Sequence, residues 1–132
     1  MISMATPTGL HRRLPRLILA AALTHMAVGA VASASHWRGI LSEGLWNTVA
    51  NHDDARMTAL WFMLGGVALF GLGLLVRRSV ITTGTLPAET GWILLAFGVP
   101  VSLLEPVSGG WALLALGALA LWATRHSAPN RR

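Results

Sequence analysis

The chain has 132 residues, of which 54% are hydrophobic and only 11% charged, with a mean hydropathy of +0.60. A water-facing surface needs about 25% charged residues, so this composition excludes an ordinary soluble domain and points to a surface covered by lipid. The formal net charge is +5, all of the basic residues are arginine, and the absence of cysteine excludes disulfides, thiolate metal sites and cysteine nucleophiles.

Residues 1–13 are short, polar and mixed, and read as disordered or interfacial. Arg12, Arg13 and Arg16 then precede an apolar run, 17–34, whose one strongly polar member is His25. This reads as a first membrane span over about 14–35. The same pattern, ending in Ala32-Ser33-Ala34, also fits a cleavable signal peptide. Cleavage there would leave three spans. The length of the run and the His in its middle favour an uncleaved span.

Residues 36–56 form the longest polar connection. Within them Trp37, Ile40, Leu41, Leu45 and Val49 recur at helical spacing. This predicts a short amphipathic helix lying in the membrane interface, with Trp37 and Trp46 at headgroup level.

The stretch 57–76 carries no charge over twenty residues, with Arg56 before it and Arg77 and Arg78 after it. As a helix it is about 30 Å long, the thickness of a bilayer's hydrocarbon core. Ala59, Gly66 and Gly73 are spaced by seven, and drift by only about 20° per step. They make one small-residue seam, a packing face for a neighbouring helix within the chain or in a homo- or hetero-oligomer.

Residues 77–91 read as a loop from their charges, Thr, Gly and Pro. A third span over 87–104 starts near Pro87, with Pro100 expected to kink it. Residues 105–110 form a tight turn, and a fourth span covers 107–124. The tail beyond it is polar.

The arginines divide by side. With four spans, Arg12, Arg13, Arg16, Arg77, Arg78, Arg125, Arg131 and Arg132 fall on one face of the membrane, and Arg38 and Arg56 on the other. Arginine excess marks the cytoplasmic side, which puts both termini inside and 36–56 outside. Arginines at the ends of apolar runs act as topology signals, so the basic charge does not imply nucleic acid. The arginine-only basic set and the Ala, Gly and Leu content suggest a GC-rich, bacterial coding genome.

Four residues stand out as ligand-binding candidates: His25, His36, Trp61 and Glu105. An ionisable group within a span marks function by default. His36 lies three helical turns beyond His25, on a line that also carries Gly29 and Ala32. The pair could form a proton or metal path, or His25 an axial haem ligand. The bland alternative is a His bonded to a backbone carbonyl or a hydroxyl of a neighbouring helix. No other span carries a second His for a haem. His52, Asp53 and Asp54, with His36 and Glu43, could make an external cation site, yet no ligand spacing is diagnostic, and capping of the next helix accounts for the two Asp. Glu105 could pair with Arg38 or Arg56, or couple to His25. No nucleophile elbow, P-loop or dinucleotide fingerprint is present. The sequence therefore supplies no catalytic residue, and no metal or cofactor is assigned.

Four short stretches, LTHMAVG at 23–29, GLWNTV at 44–49, LWFMLGG at 60–66 and PVSGGW at 106–111, resemble as an ordered set a family of small bacterial four-helix membrane proteins of unknown function. The resemblance covers about residues 14–125. It rests on His25, Gly29, Trp46, Asn47, Trp61, Phe62, Pro106, Ser108, Gly109 and Trp111. It implies four membrane helices with a His in the first, and carries no reaction.

The expectation is an all-α, single-domain, four-helix transmembrane bundle in the inner membrane, with an interfacial helix between spans 1 and 2. The leading role is a non-enzymatic accessory or small-ligand-binding protein. Its outward pocket would be built from His25, the 36–56 segment and the 105–111 turn. The alternatives are a proton-coupled transporter or channel using His25 and Glu105, and a haem-associated redox protein.

Overall fold

A computed structural model describes residues 9–49 and 54–126. The fold is all-α: α1 (Gly9–Ala32), α2 (Ala34–Ser42), α3 (Asp54–Thr83), α4 (Ala88–Leu104) and α5 (Gly110–His126), with no strand among the described residues. His52, Asp53, Arg131 and Arg132 lie outside them.

The helices associate as two antiparallel pairs, α1 with α3 and α4 with α5. Both pairs meet along small residues spaced by seven. On α3 these are Ala59, Gly66 and Gly73, all buried. They face α1, where Gly66 receives Met26 and His25 and Gly73 receives Leu19 and Ile18. The seam receives α1 of the same chain. On α4 and α5 the corresponding residues are Gly91 and Gly98, and Gly110 and Gly117, again all buried. A Cβ on Gly91 would sit 2.9 Å from the Gly117 carbonyl oxygen, and one on Gly117 would sit 3.0 Å from the Gly91 oxygen. The two backbones touch there, an approach that only glycine permits.

A single apolar core joins the pairs at one end. It contains Leu14 and Ile18 of α1, Val76 and Val80 of α3, Leu86 of the connection, Leu94 of α4, and Ala120 and Ala123 of α5. This is the arginine-rich end. The N-terminal part of α1 supplies some of its most buried side chains, Leu14 and Ile18 at 0% exposure. The helix Gly9–Ala32 is therefore part of the packed structure, and cleavage after Ala34 would remove α1's half of the α1–α3 seam.

Three element boundaries differ from expectation. Residues 9–13 are helical and open α1, where the sequence reads as interfacial or disordered; His11 and Leu14 are buried one turn apart, so packing holds this turn. The expected loop over 77–91 is mostly helix, because α3 continues to Thr83. Its polar residues bond back along the helix, Thr82 Oγ1 to the Arg78 carbonyl at 2.9 Å and Thr83 Oγ1 to that of Ser79 at 2.8 Å. The true connection is only 84–87. Gly84 opens it at φ 71°, its N–H donating to the Val80 carbonyl at 3.1 Å, an ending that favours glycine. The expected amphipathic helix shortens to α2. Ile40 is buried and Trp37 half-buried, but Leu41, Leu45 and Trp46 are 69%, 75% and 94% exposed. Gly44 at φ 87° and Asn47 at φ 60° turn the chain out of helix.

Two helices, α1 and α3, are long and apolar enough to cross a membrane. At 24 and 30 residues they measure about 36 and 45 Å. α4 and α5 are apolar but have 17 residues each, at the lower limit of a spanning helix.

Candidate functional site

His25 lies half-buried on α1, on the face turned to α3. Its Nε2 is 2.9 Å from the Phe62 carbonyl oxygen. A carbonyl can only accept, so Nε2 carries the proton and donates. The imidazole also stacks on the Phe62 ring, with centroids 3.8 Å apart and planes within 9°. Two glycine notches make this approach possible. At Gly66 a Cβ would lie 3.0 Å from His25 Cδ2, and at Gly65 3.9 Å from Nε2. Across the seam a Cβ on Gly29 would lie 2.6 Å from Phe62 Cδ1. His25 and Met26 of α1 fill the notch of α3, and Phe62 of α3 fills the notch of α1. The stretches 23–29 and 60–66 are the two halves of one reciprocal lock.

A second polar centre sits beyond the lock, about 9 Å along α3 from Phe62. Arg56 grips Glu43 in a two-pronged ion pair, Nη1 to Oε2 at 2.7 Å and Nη2 to Oε1 at 2.6 Å. Nη1 also donates to the Thr48 carbonyl at 3.1 Å. Gly39 lets the guanidinium through, since a Cβ there would meet Nη2 at 2.8 Å. Arg56 is only 16% exposed, while Glu43 is 56% exposed. The bond from Arg56 holds the Glu43 carboxyl below the ordinary carboxylate range, and the charge of Arg56 acts in the same direction. This fork latches α2 and the 43–49 segment, which includes GLWNTV, onto the start of α3. It is the only ion pair among the described residues.

The 105–110 turn is wired locally. Trp111 Nε1 donates to the Pro106 carbonyl at 2.9 Å, Ser108 Oγ accepts from the Gly110 N–H at 3.2 Å, and the Ser108 N–H donates to the Glu105 carbonyl at 2.9 Å. These bonds account for the sequence PVSGGW as a turn and helix start.

The four residues singled out from sequence do not converge. His25 is on the α1–α3 seam. His36 is half-buried on α2, beyond an interruption at Ser33 (φ −106°, ψ 21°), so the straight helical line from His25 is broken. Trp61 neighbours Phe62 but is 65% exposed. Glu105 is exposed at the end of α4 and makes no ion pair among the described residues. Arg56, one of its expected partners, holds Glu43, and Arg38 Nε bonds the Ala34 carbonyl at 3.3 Å. No group of three His, Asp or Glu side chains is placed to hold a metal among the described residues. Sequence reading missed Phe62 as the partner of His25. The signal was the Gly65-Gly66 pair one turn after it, which opens a notch on a helix otherwise lined with large side chains.

The architecture is that of an all-helical chain with two hydrophobic helices long enough to span a bilayer, locked together by a His in the first. The chain belongs to DUF6463, a family of unknown function whose model matches residues 10–127. No curated protein and no solved structure matches it.

Proposed function

We propose that the protein is a multi-pass bacterial inner-membrane protein in which α1, α3, α4 and α5 all cross the bilayer, both termini are cytoplasmic, and α2 with the 43–49 segment caps the outer face. The observation that carries this reading is the exposure of apolar surface. Less than a third of the apolar stretch of α1 or α3 is buried, whereas a core helix of a soluble protein is mostly buried. On α4, Trp92, Phe97 and Leu103 are 60%, 63% and 75% exposed. Surface of this kind, all around both pairs, is covered by lipid rather than water.

The role supported best is a non-enzymatic accessory or small-ligand-binding protein, with its binding surface on the outer side around the latched cap. His25 is then a structural residue of the bundle, because its Nε2 and one ring face are both engaged by Phe62. Haem ligation through Nε2 would first require breaking that bond. Proton coupling between His25 and Glu105 would require bringing together residues on different helix pairs. Alkaline carbonate washing of membranes from cells expressing the chain tests the reading. Retention in the pellet is expected, and release into the supernatant would overturn it.

A further inference from the structure

The arginine-rich end holds a charged surface that the packing leaves unanswered. Three contacts fix the register of α1 against α3: Gly29 with Phe62, His25 with Gly66, and Leu19 with Gly73. One helical turn further inward on both helices, Arg77 comes level with the Arg12–Arg16 stretch of α1. The flank of this pair turned to α4 and α5 carries the core residues Leu14, Ile18, Val76 and Val80. At about 100° per residue, Arg12 and Arg16 fall on the opposite flank of the seam, and so do Arg77 and Arg78. All four are exposed, and none has an ion pair among the described residues. α1 contains no acidic residue, and the one acid of α3, Asp54, is at its far end.

The same flank turns apolar immediately outward. Seven residues beyond Arg16, Leu23 is 54% exposed, and one turn before Arg78, Leu74 is 44% exposed. Two side-by-side stripes therefore read basic and then apolar in the direction from the inner end toward mid-membrane. An inner-leaflet anionic phospholipid has that order, phosphate and then acyl chain.

We propose that the outer flank of the α1–α3 seam is a binding site for one anionic phospholipid of the inner leaflet. Arg12, Arg16 and Arg77 hold the phosphate by charge-assisted hydrogen bonds, and an acyl chain lies along Leu23 and Leu74. The partner is a lipid rather than a free phosphate because the basic residues are continuous with an apolar strip that a soluble anion leaves bare. The site rests on the membrane reading above.

Native mass spectrometry of the full chain, released from nanodiscs containing phosphatidylcholine and phosphatidylglycerol, tests it. Retention of one phosphatidylglycerol in preference to phosphatidylcholine is expected. The triple variant R12Q/R16Q/R77Q should lower that preference at least about tenfold, since each basic residue near an anionic surface contributes several-fold in affinity. R12K/R16K/R77K should keep much of it, and Arg125→Gln should leave it unchanged. Equal retention of the two lipids would overturn the site, as would a triple variant that binds like the parent chain. Displacement of the lipid by glycerol 3-phosphate at equal concentration would assign the surface to a soluble anion and also overturn it. A chain that carbonate removes from membranes would refute the membrane reading itself. A chain that stays embedded without lipid preference would refute only this site.

Discussion

The two helix pairs use the same spacing of small residues and arrive at different interfaces. Along α4–α5, glycine faces glycine, and the backbones touch at Gly91 and Gly117. Along α1–α3, glycine on each helix receives a ring from the other, Phe62 over Gly29 and His25 over Gly66. In lipid there is little hydrophobic force between helices, so association comes from close packing and interhelical hydrogen bonds. The first pair relies on the first of these, and the second pair adds the other. A backbone cannot move aside as a side chain can. The α4–α5 seam should therefore tolerate added atoms worst, and the α1–α3 seam should respond most to loss of chemistry.

The largest effect is expected from Gly91→Ala, or more strongly Gly91→Leu. The new Cβ would lie 2.6 Å from Leu121 Cγ and 2.9 Å from the Gly117 oxygen. Overpacking of this kind costs about 1–3 kcal/mol, and thermal unfolding in detergent followed by circular dichroism should show it. Gly66→Ala meets Met26 Cγ and His25 Cδ2, side-chain atoms that can turn aside where the Gly117 carbonyl cannot, and should cost less. The reverse order would break the comparison.

His25→Leu should cost about 1–2 kcal/mol. An interhelical hydrogen bond in a membrane protein averages about 0.6 kcal/mol, and a stacked ring pair adds roughly 0.5–1.5. Phe62→Leu removes the stacking but leaves the carbonyl, so it should cost less than His25→Leu in the same unfolding assay. If His25→Leu leaves stability unchanged, the lock is not holding the pair.

Smaller and more local is the Arg56–Glu43 fork. Glu43 has its pKa lowered in the folded chain, chiefly by the bond from Arg56. A lowered value stabilises the fold above the ordinary glutamate range and ceases to do so as pH falls below it toward the folded value. Acidification should therefore release the 43–49 segment while the helix pairs persist. Hydrogen exchange across 39–49 should rise at low pH and in Glu43→Gln, with little change at Gly66 or Gly117. Smallest of all is Gly71→Ala, which meets nothing within 4 Å. Helix propensity alone makes it neutral or stabilising by at most about 1 kcal/mol.

Much of this contrast was legible beforehand, and for a physical reason. Hydrophobic runs and seven-residue spacings are local, so the long apolar helices and the Ala59–Gly66–Gly73 seam could be read directly. Partner choice is not local. That His25 seeks a backbone carbonyl is a general option for a buried ring, but Phe62 as the partner depends on the register of α1 against α3. The fork was missed because Glu105 and Glu43 are equally good partners for Arg56 on charge alone. Glu43 arrives because α2 packs against the start of α3. Polar residues at 77–83 misled because hydroxyls that usually break helices here bond back to the preceding turn of α3.

Both pairs are expected to cross the membrane and to meet at a cytoplasmic, arginine-rich end. Because the chain lacks cysteine, single cysteines can be placed without a background. Ser42→Cys lies beside the cap, Thr85→Cys in the inner connection, and Val107→Cys in the 105–110 turn, where Val107 is 99% exposed. A membrane-impermeant maleimide applied to intact spheroplasts should label positions 42 and 107, and position 85 only after lysis. Labelling of 85 from outside, or protection of 107 until lysis, would contradict the account.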